Sequence, residues 1–180
     1  MARMYESAPV REVVVRRQFL MPDMLQLYSN PDILASSVKI SFEGERGDDF
    51  GGLTKEVYTC FWAQAYRSFF RGENCKVPFM PLYRMRKESS SFTAIGRLLT
   101  HTVGLTKSLP YLIARSSLIS LVFNVPPEDE CLLCDLLMYV TEQERILINQ
   151  GLRNFSRISQ KDLDDLGNSL PTMSYWSCLT

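Results

Sequence analysis

Apolar positions recur along this chain at two periods, and the switches between them mark its elements. Val13-Val14-Val15 is a β-branched run bounded by Arg11 and by Arg16-Arg17, while Val38-Lys39-Ile40-Ser41-Phe42 alternates apolar with polar. β-branched side chains fit a pleated backbone, and alternation gives a strand one buried and one solvated face, so both segments read as short strands. Between them Pro22 to Tyr28 suits a short helix, stopped at Ser29-Asn30-Pro31, with Pro31 opening a further helical segment through Leu34.

A helical period takes over at Leu53, where Leu53, Val57, Phe61, Ala65 and Phe69 form one row of a long helix ending near Phe70. Arg71 to Ser91 reads as mostly loop, because Pro78 and Pro81 cannot continue a helix and Glu73-Asn74 and Ser89-Ser90-Ser91 are polar breaks. Phe92, Ile95, Leu99 and Val103 restart the helical period. Gly96 and Gly104 interrupt it at about 1 kcal/mol each relative to alanine, which predicts another element packed close against the bare backbone. Pro110 suits the first turn of a helix running to Phe123 and closed by Asn124-Val125-Pro126-Pro127, and Glu128 to Val140 is another. Thr141-Glu142-Gln143-Glu144 is a capping-box pattern, with Ile146 and Leu147 as the apolar face behind it and Gly151 as its stop. Ser159 to Gly167 supplies a last short helix. About seven helices against two or three strands, with few βα alternations and no internal repeat, give an α+β class in which helix predominates.

Composition narrows the functions open to such a fold. A chain of 180 residues is long enough for one sizeable core, and the 46% hydrophobic and 22% charged content is that of a globular protein. Twenty basic and twenty acidic residues cancel, so no net field recruits nucleic acid or an anionic membrane. Apolar stretches such as Leu118 to Val122 and Leu132 to Val140 are too short or too interrupted to span a bilayer. Met1 to Ser7 lacks the apolar core of a secretory signal, which points to the cytosol or nucleus, and residues 1–11 are expected as a tail before a single lobe over 12–180. The cysteines, Cys60, Cys75, Cys131, Cys134 and Cys178, are odd in number and match no disulfide framework, so free thiols are expected. Cys131 and Cys134 form a single Cys-x-x-Cys, but a structural zinc needs four ligands, and their apolar surroundings make them core residues rather than a metal pair. His101, the sole histidine, has no serine or cysteine at a spacing that suggests a nucleophile pair and reads as a structural residue. No cofactor or metal is implied.

One stretch carries more detail than composition and period explain: Phe42-Glu43-Gly44-Glu45-Arg46-Gly47-Asp48-Asp49-Phe50-Gly51-Gly52-Leu53-Thr54-Lys55-Glu56. Its glycines do not make a phosphate cradle, since Glu43, Glu45, Asp48 and Asp49 repel anions and neither nucleotide-loop spacing is kept. The acidic positions also miss the alternating register of a calcium loop. The remaining reading is architectural, with Gly51 and Gly52 allowing backbone angles closed to other residues and Asp49 capping the helix that follows.

The same stretch resembles the signature of HECT-type ubiquitin ligase domains, in which a strand ends in Phe-x-Gly-Glu-x-Gly-x-Asp-x-Gly-Gly and a helix follows with a basic residue and Glu. Phe42, Gly44, Glu45, Gly47, Asp49, Gly51, Gly52, Lys55 and Glu56 fall in step with it, and Phe92-Thr93-Ala94-Ile95-Gly96-Arg97 resembles a second family helix start. Val14 to Phe42 is similar to the divergent, cell-cycle-phase-specific branch. The resemblance runs from about Val13 to Gly151 and implies a HECT N-terminal lobe in which Gly96, Arg97 and the glycine-loop residues shape the fold. It implies ubiquitin, a conjugating enzyme and a protein substrate of the parent as partners, with ubiquitin passing over a cysteine in a C-terminal lobe. Leu170-Pro171 and Cys178 do not reproduce the family's Leu-Pro-x-Ser/Ala-His-Thr-Cys pattern, since the histidine is missing, so no residue here is assigned as catalytic. A HECT-like module that binds ubiquitin or proteins without transferring ubiquitin is the alternative. Some HECT lobes hold a second ubiquitin on an aromatic patch after the long helix, which makes Phe69 and Phe70 candidates. Neighbouring helix positions diverge by about 100°, so with Phe69 buried Phe70 would point partly outward, unless Val77 to Pro81 folds back and covers it, which leaves the pair as core. Glu56 and Arg97, one from each motif, are expected to pair across facing helices.

Overall fold

A computed structural model describes residues 8–45 and 52–169 of the chain. Strand β1, Val10–Val15, lies parallel to β2, Ser37–Phe42, with Val13 opposite Ile40 and Val15 opposite Phe42. Parallel neighbours need a crossover, and here it consists of a 3-10 turn at Arg17–Phe19, helix α1 at Leu20–Leu27 and a 3-10 turn at Pro31–Ala35. Asn30 caps the last of these by accepting the Asp32 amide, with Pro31 in the first position, as the Asn-Pro signal predicts. Alternation sends Val15, Val38, Ile40 and Phe42 into the core and leaves Val10 and Val14 on the solvent face.

Helix α2, Gly52–Phe69, buries two adjacent rows, Val57-Phe61-Ala65 and Tyr58-Trp62-Tyr66, which is wider than the single row that its spacing suggests. Helix α3, Met85–Thr106, starts seven residues before Phe92, within the segment expected to be loop. An i,i+4 pair from Arg84 to Glu88 at 2.5 Å and the Thr93 hydroxyl on the Ser89 carbonyl hold the serine run in helical form. The helix ends at Lys107 in a left-handed conformation, φ 57°, a position more often held by glycine. Gly96 lies on the exposed side of α3 with nothing within 4 Å of an added Cβ, so the close packing expected there is absent. Met24, Tyr28, Ile33, Ile40, Val57, Phe61, Ala65 and Leu98 are fully buried, joining β2, α1, α2 and α3 around one core. Each such aliphatic or aromatic side chain adds roughly 1.5–3 kcal/mol relative to exposure.

The chain groups into two compact units, one of residues 1–71 and 78–113, the other of residues 72–77 and 114–180. The first holds the elements above, together with the short strand β3, Phe70–Arg71; β4 is Val77–Pro78. The second is built from α4 at Arg115–Phe123, α5 at Asp129–Tyr139, α6 at Glu142–Asn154 and α7 at Gln160–Ser169. Residues 72–77 dock on it through Glu73 to Tyr139 and Asn74 to Met138 backbone hydrogen bonds of 2.9 and 3.0 Å. Gly72 allows this, since at φ 110° an added Cβ would sit 2.0 Å from the Cys75 carbonyl oxygen.

Several boundaries move. Pro110 lies in a turn closed by the Ile113 amide, and α4 starts only at Arg115. Thr141 and Glu144 form the predicted capping box, but α6 passes through Gly151, where a Cβ would stand 2.9 Å from Ile158 Cδ1, so this glycine makes room for packing and does not stop the helix. α7 likewise runs past Gly167 to Ser169. α5 buries no residue, and Cys134 is exposed with Cys131 half-buried, which corrects their reading as core. The fold is α+β and predominantly helical, and no described helix is long and apolar enough to cross a membrane.

Candidate functional site

Three of the signature residues within the described chain, Phe42, Glu45 and Glu56, meet at a residue the motif does not contain. β2 ends at Phe42, and a turn follows in which the Glu45 amide donates to the Phe42 carbonyl at 3.1 Å and Gly44 has φ 77°. A glycine adopts that angle without a Cβ penalty. The turn directs Glu45 back to Arg17, which leaves β1 beside it. Arg17 Nε and Nη2 donate to the two Glu45 oxygens at 2.8 and 3.0 Å, Nη1 donates to Glu56 on α2 at 2.6 Å, and the guanidinium lies 3.8 Å above the Phe42 ring. Phe42, Glu45 and Glu56 thus form a clasp on Arg17, with Gly44 shaping the turn, that ties the segment after β1, the β2 turn and α2 together. A planar guanidinium makes the bidentate contact and the stack at once, which an ammonium cannot. Arg17's hydrogen bonds hold the Glu45 carboxyl below its ordinary range and raise Arg17 in turn. The three side chains are about half exposed, so the clasp fixes geometry more than it adds stability.

Arg97 does not meet Glu56, contrary to the expected pair. Its Nη1 donates to the Tyr28 and Ser29 carbonyls at 2.9 and 2.7 Å, at the C-terminal end of α1. The last carbonyls of a helix have no intrahelical partner and carry the negative end of its dipole, so they attract the guanidinium. Arg97 therefore joins α3 to α1. Lys55 is exposed and lines, with Ser37, Lys39, Thr54 and Thr106, an open groove of about 320 Å³. Gly52 opens α2 without a positive φ and without crowding, so it needs no glycine-only backbone. Gly47, Asp49 and Gly51, and with them the proposed Asp49 cap, lie outside the described residues.

A separate buried polar chain joins α1, α2 and α3. His101 is fully buried, with Nε2 at 2.9 Å from the Ser36 carbonyl and Nδ1 at 2.6 Å from the Tyr28 hydroxyl. A carbonyl only accepts, so Nε2 carries the proton and Nδ1 accepts from Tyr28; the Tyr28 oxygen then accepts from the Tyr58 hydroxyl. Burial lowers the His101 pKa, opposed in part by the Ser36 carbonyl, and keeps the ring neutral. An enclosed neutral imidazole reaches no substrate, so the structural reading of His101 holds. Tyr28, Tyr58 and Arg17 escaped the sequence reading, because tyrosines on helical faces count as apolar and Arg17 looked like the flank of a strand.

The aromatic pair fails as a surface. Phe69 and Phe70 are 6% and 3% exposed. Phe69 meets the Phe92 ring edge-on at 5.5 Å, and Phe70 packs on Tyr66 and Trp62 at 5.6 and 6.4 Å. The helical 100° argument did not apply, because α2 ends at Phe69 and Phe70 begins β3, which returns its ring to the α2 row. Cys75 is buried as well, and burial followed by the charge of Asp135 pushes its thiol up to about 11, the opposite of activation. Asp135 also accepts the Ser116 amide at the start of α4 at 2.7 Å, so it serves structure. Among the described residues no cluster of histidine, cysteine and carboxylate side chains could hold a metal. Compared with known proteins, the sequence matches no family model and no curated protein.

Proposed function

We propose that the chain is the N-terminal lobe of a HECT-type ubiquitin-protein ligase of the cytosol or nucleus, a platform for ubiquitin transfer whose nucleophile lies elsewhere. The observation that supports this is the clasp: Phe42, Glu45 and Glu56, three positions of the resemblance, converge on Arg17, and Gly44 supplies the turn that brings Glu45 there, which gives these motif residues a shape-holding role. That role is the one the resemblance implies, and it involves no chemistry. Arg97, from the second motif, likewise serves as a strut between α1 and α3. The thiol with a perturbed pKa, Cys75, is shifted away from nucleophilicity, in keeping with a lobe that carries no thioester. Ubiquitin, a conjugating enzyme and the parent's protein substrate are the partners of this reading.

The chain, incubated with activating enzyme, a panel of conjugating enzymes, ATP and ubiquitin, is expected to form no adduct reducible by thiol. A thioester on this chain that disappears on Cys178→Ser would overturn the assignment of the nucleophile to another lobe. A scaffold without transfer activity in its parent shares the clasp, and nothing in the geometry favours it over the ligase reading.

A further inference from the structure

The segment from Phe79 to Lys87 departs from what its own helix favours. Leu82 and Tyr83 are 75% and 85% exposed, and Phe79 and Met85 are 37% and 48% exposed. Single exposed apolar residues are ordinary, whereas four within one short tip make a patch. Helix α3 begins here with Arg84 at its N-cap position and no side-chain cap hydrogen bond. Its first turn carries Arg86 and Lys87, although the positive end of a helix dipole favours carboxylates. The one acidic side chain of that turn, Glu88, is taken by Arg84. Among the described residues Arg86 and Lys87 make no ion pair, and Arg71, stacked 5.2 Å over the Phe79 ring, makes none either. Neither core packing nor helix stability accounts for these choices, and local rules are broken most often where residues serve a partner.

We propose that this tip docks an acidic, apolar segment of a partner protein. Arg86 and Lys87 follow Tyr83 by three and four residues and Met85 follows Leu82 by three, so exposed cations and exposed apolar side chains alternate along this segment. An aromatic anchor bordered by cations is complemented by apolar side chains bordered by Asp or Glu, the aromatic supplying contact area and the charges supplying register and approach rate. An anionic bilayer is the competing occupant for basic and aromatic residues together. Electrostatic recruitment to lipid takes clusters of about four to eight cations, while of the four here, Arg71, Arg84, Arg86 and Lys87, Arg84 is neutralised by its pair with Glu88, which leaves three. The protein segment fits better. The proposal does not depend on the ubiquitin-ligase reading.

A random dodecapeptide library displayed on phage, panned against the full chain and counter-selected on Tyr83→Ser, provides the test, followed by fluorescence titration of the enriched peptides. The expected consensus combines Asp or Glu with Phe, Leu or Trp. Affinity is expected to fall tenfold or more with Tyr83→Ser and with the double change Arg86→Glu, Lys87→Glu. That double change should also raise Tm, because it places carboxylates where the dipole of α3 favours them, so the loss of binding is not unfolding. Absence of Tyr83-dependent enrichment, or enrichment of neutral or basic peptides, would overturn the proposal. So would Tyr83-dependent sedimentation of the chain with phosphatidylserine vesicles in place of peptide selection.

Discussion

Arg17 is the residue on which the signature depends. Arg17→Lys keeps the charge but loses the fork that grips both Glu45 oxygens and the flat face that covers Phe42. Its Tm should fall below that of the wild type, and by less in a Glu45→Gln background, where the bidentate share of the contact is already weakened while the Glu56 bond and the Phe42 stack remain to be lost; equal losses in both backgrounds would remove the Glu45 fork from the account. His101 sets a second test through pH. Its folded pKa is depressed, so the unfolded state takes up the proton first, and the stability due to the neutral ring is full above about pH 6.5 and declines as pH falls below that value. Glu45 and Asp23 are also depressed, each by its arginine, but their contributions are lost only further down, below about pH 4. Urea midpoints should therefore drop between pH 7 and pH 5, and a flat profile there would contradict the buried neutral histidine. Tyr58→Phe removes the donor to Tyr28 and should cost about 1–3 kcal/mol in a buried setting.

At the scale of elements, backbone rules give two opposite glycine outcomes. Gly96→Ala adds a methyl to open space in a helix interior and should stabilise by about 0.5–1 kcal/mol, measured by chemical denaturation. Gly72→Ala meets the Cys75 carbonyl and the Tyr139 ring at a φ of 110°, and should destabilise strongly enough to separate the two cleanly. Strands and long helices were legible because Val38 to Phe42 alternates and Leu53 to Phe69 repeats at helical spacing over many residues. The start of α3 was not, because Ser89-Ser90-Ser91 are weak helix formers and the Arg84 to Glu88 pair that supports the first turn does not show as a break in apolar spacing. The outward reading of Phe70 fails for a related reason, since periodicity cannot show the residue at which a helix ends, and of the two readings it is the buried one that the structure bears out. The motif positions could be read from sequence, but their meeting point could not: Arg17 lies 28 residues from Glu45 and 39 from Glu56, and pairing across that separation is a product of the fold.

For the whole molecule, the first unit holds a continuous core, while in the second α5 and α6 bury no residue and Leu121, Val122, Phe123, Leu132, Ile146 and Phe155 are exposed. The ligase reading assigns ubiquitin and a conjugating enzyme as partners of the chain, and this association is the most direct consequence of the central claim. The measurement is a heteronuclear NMR titration of the isotopically labelled chain with ubiquitin and with a panel of ubiquitin-charged conjugating enzymes. The account predicts saturable shift changes with at least one of them, with the Arg17 and His101 signals left in place because the clasp and the buried polar chain are architectural. Unchanged spectra with ubiquitin and with every conjugating enzyme, from a chain shown to be folded, would contradict it.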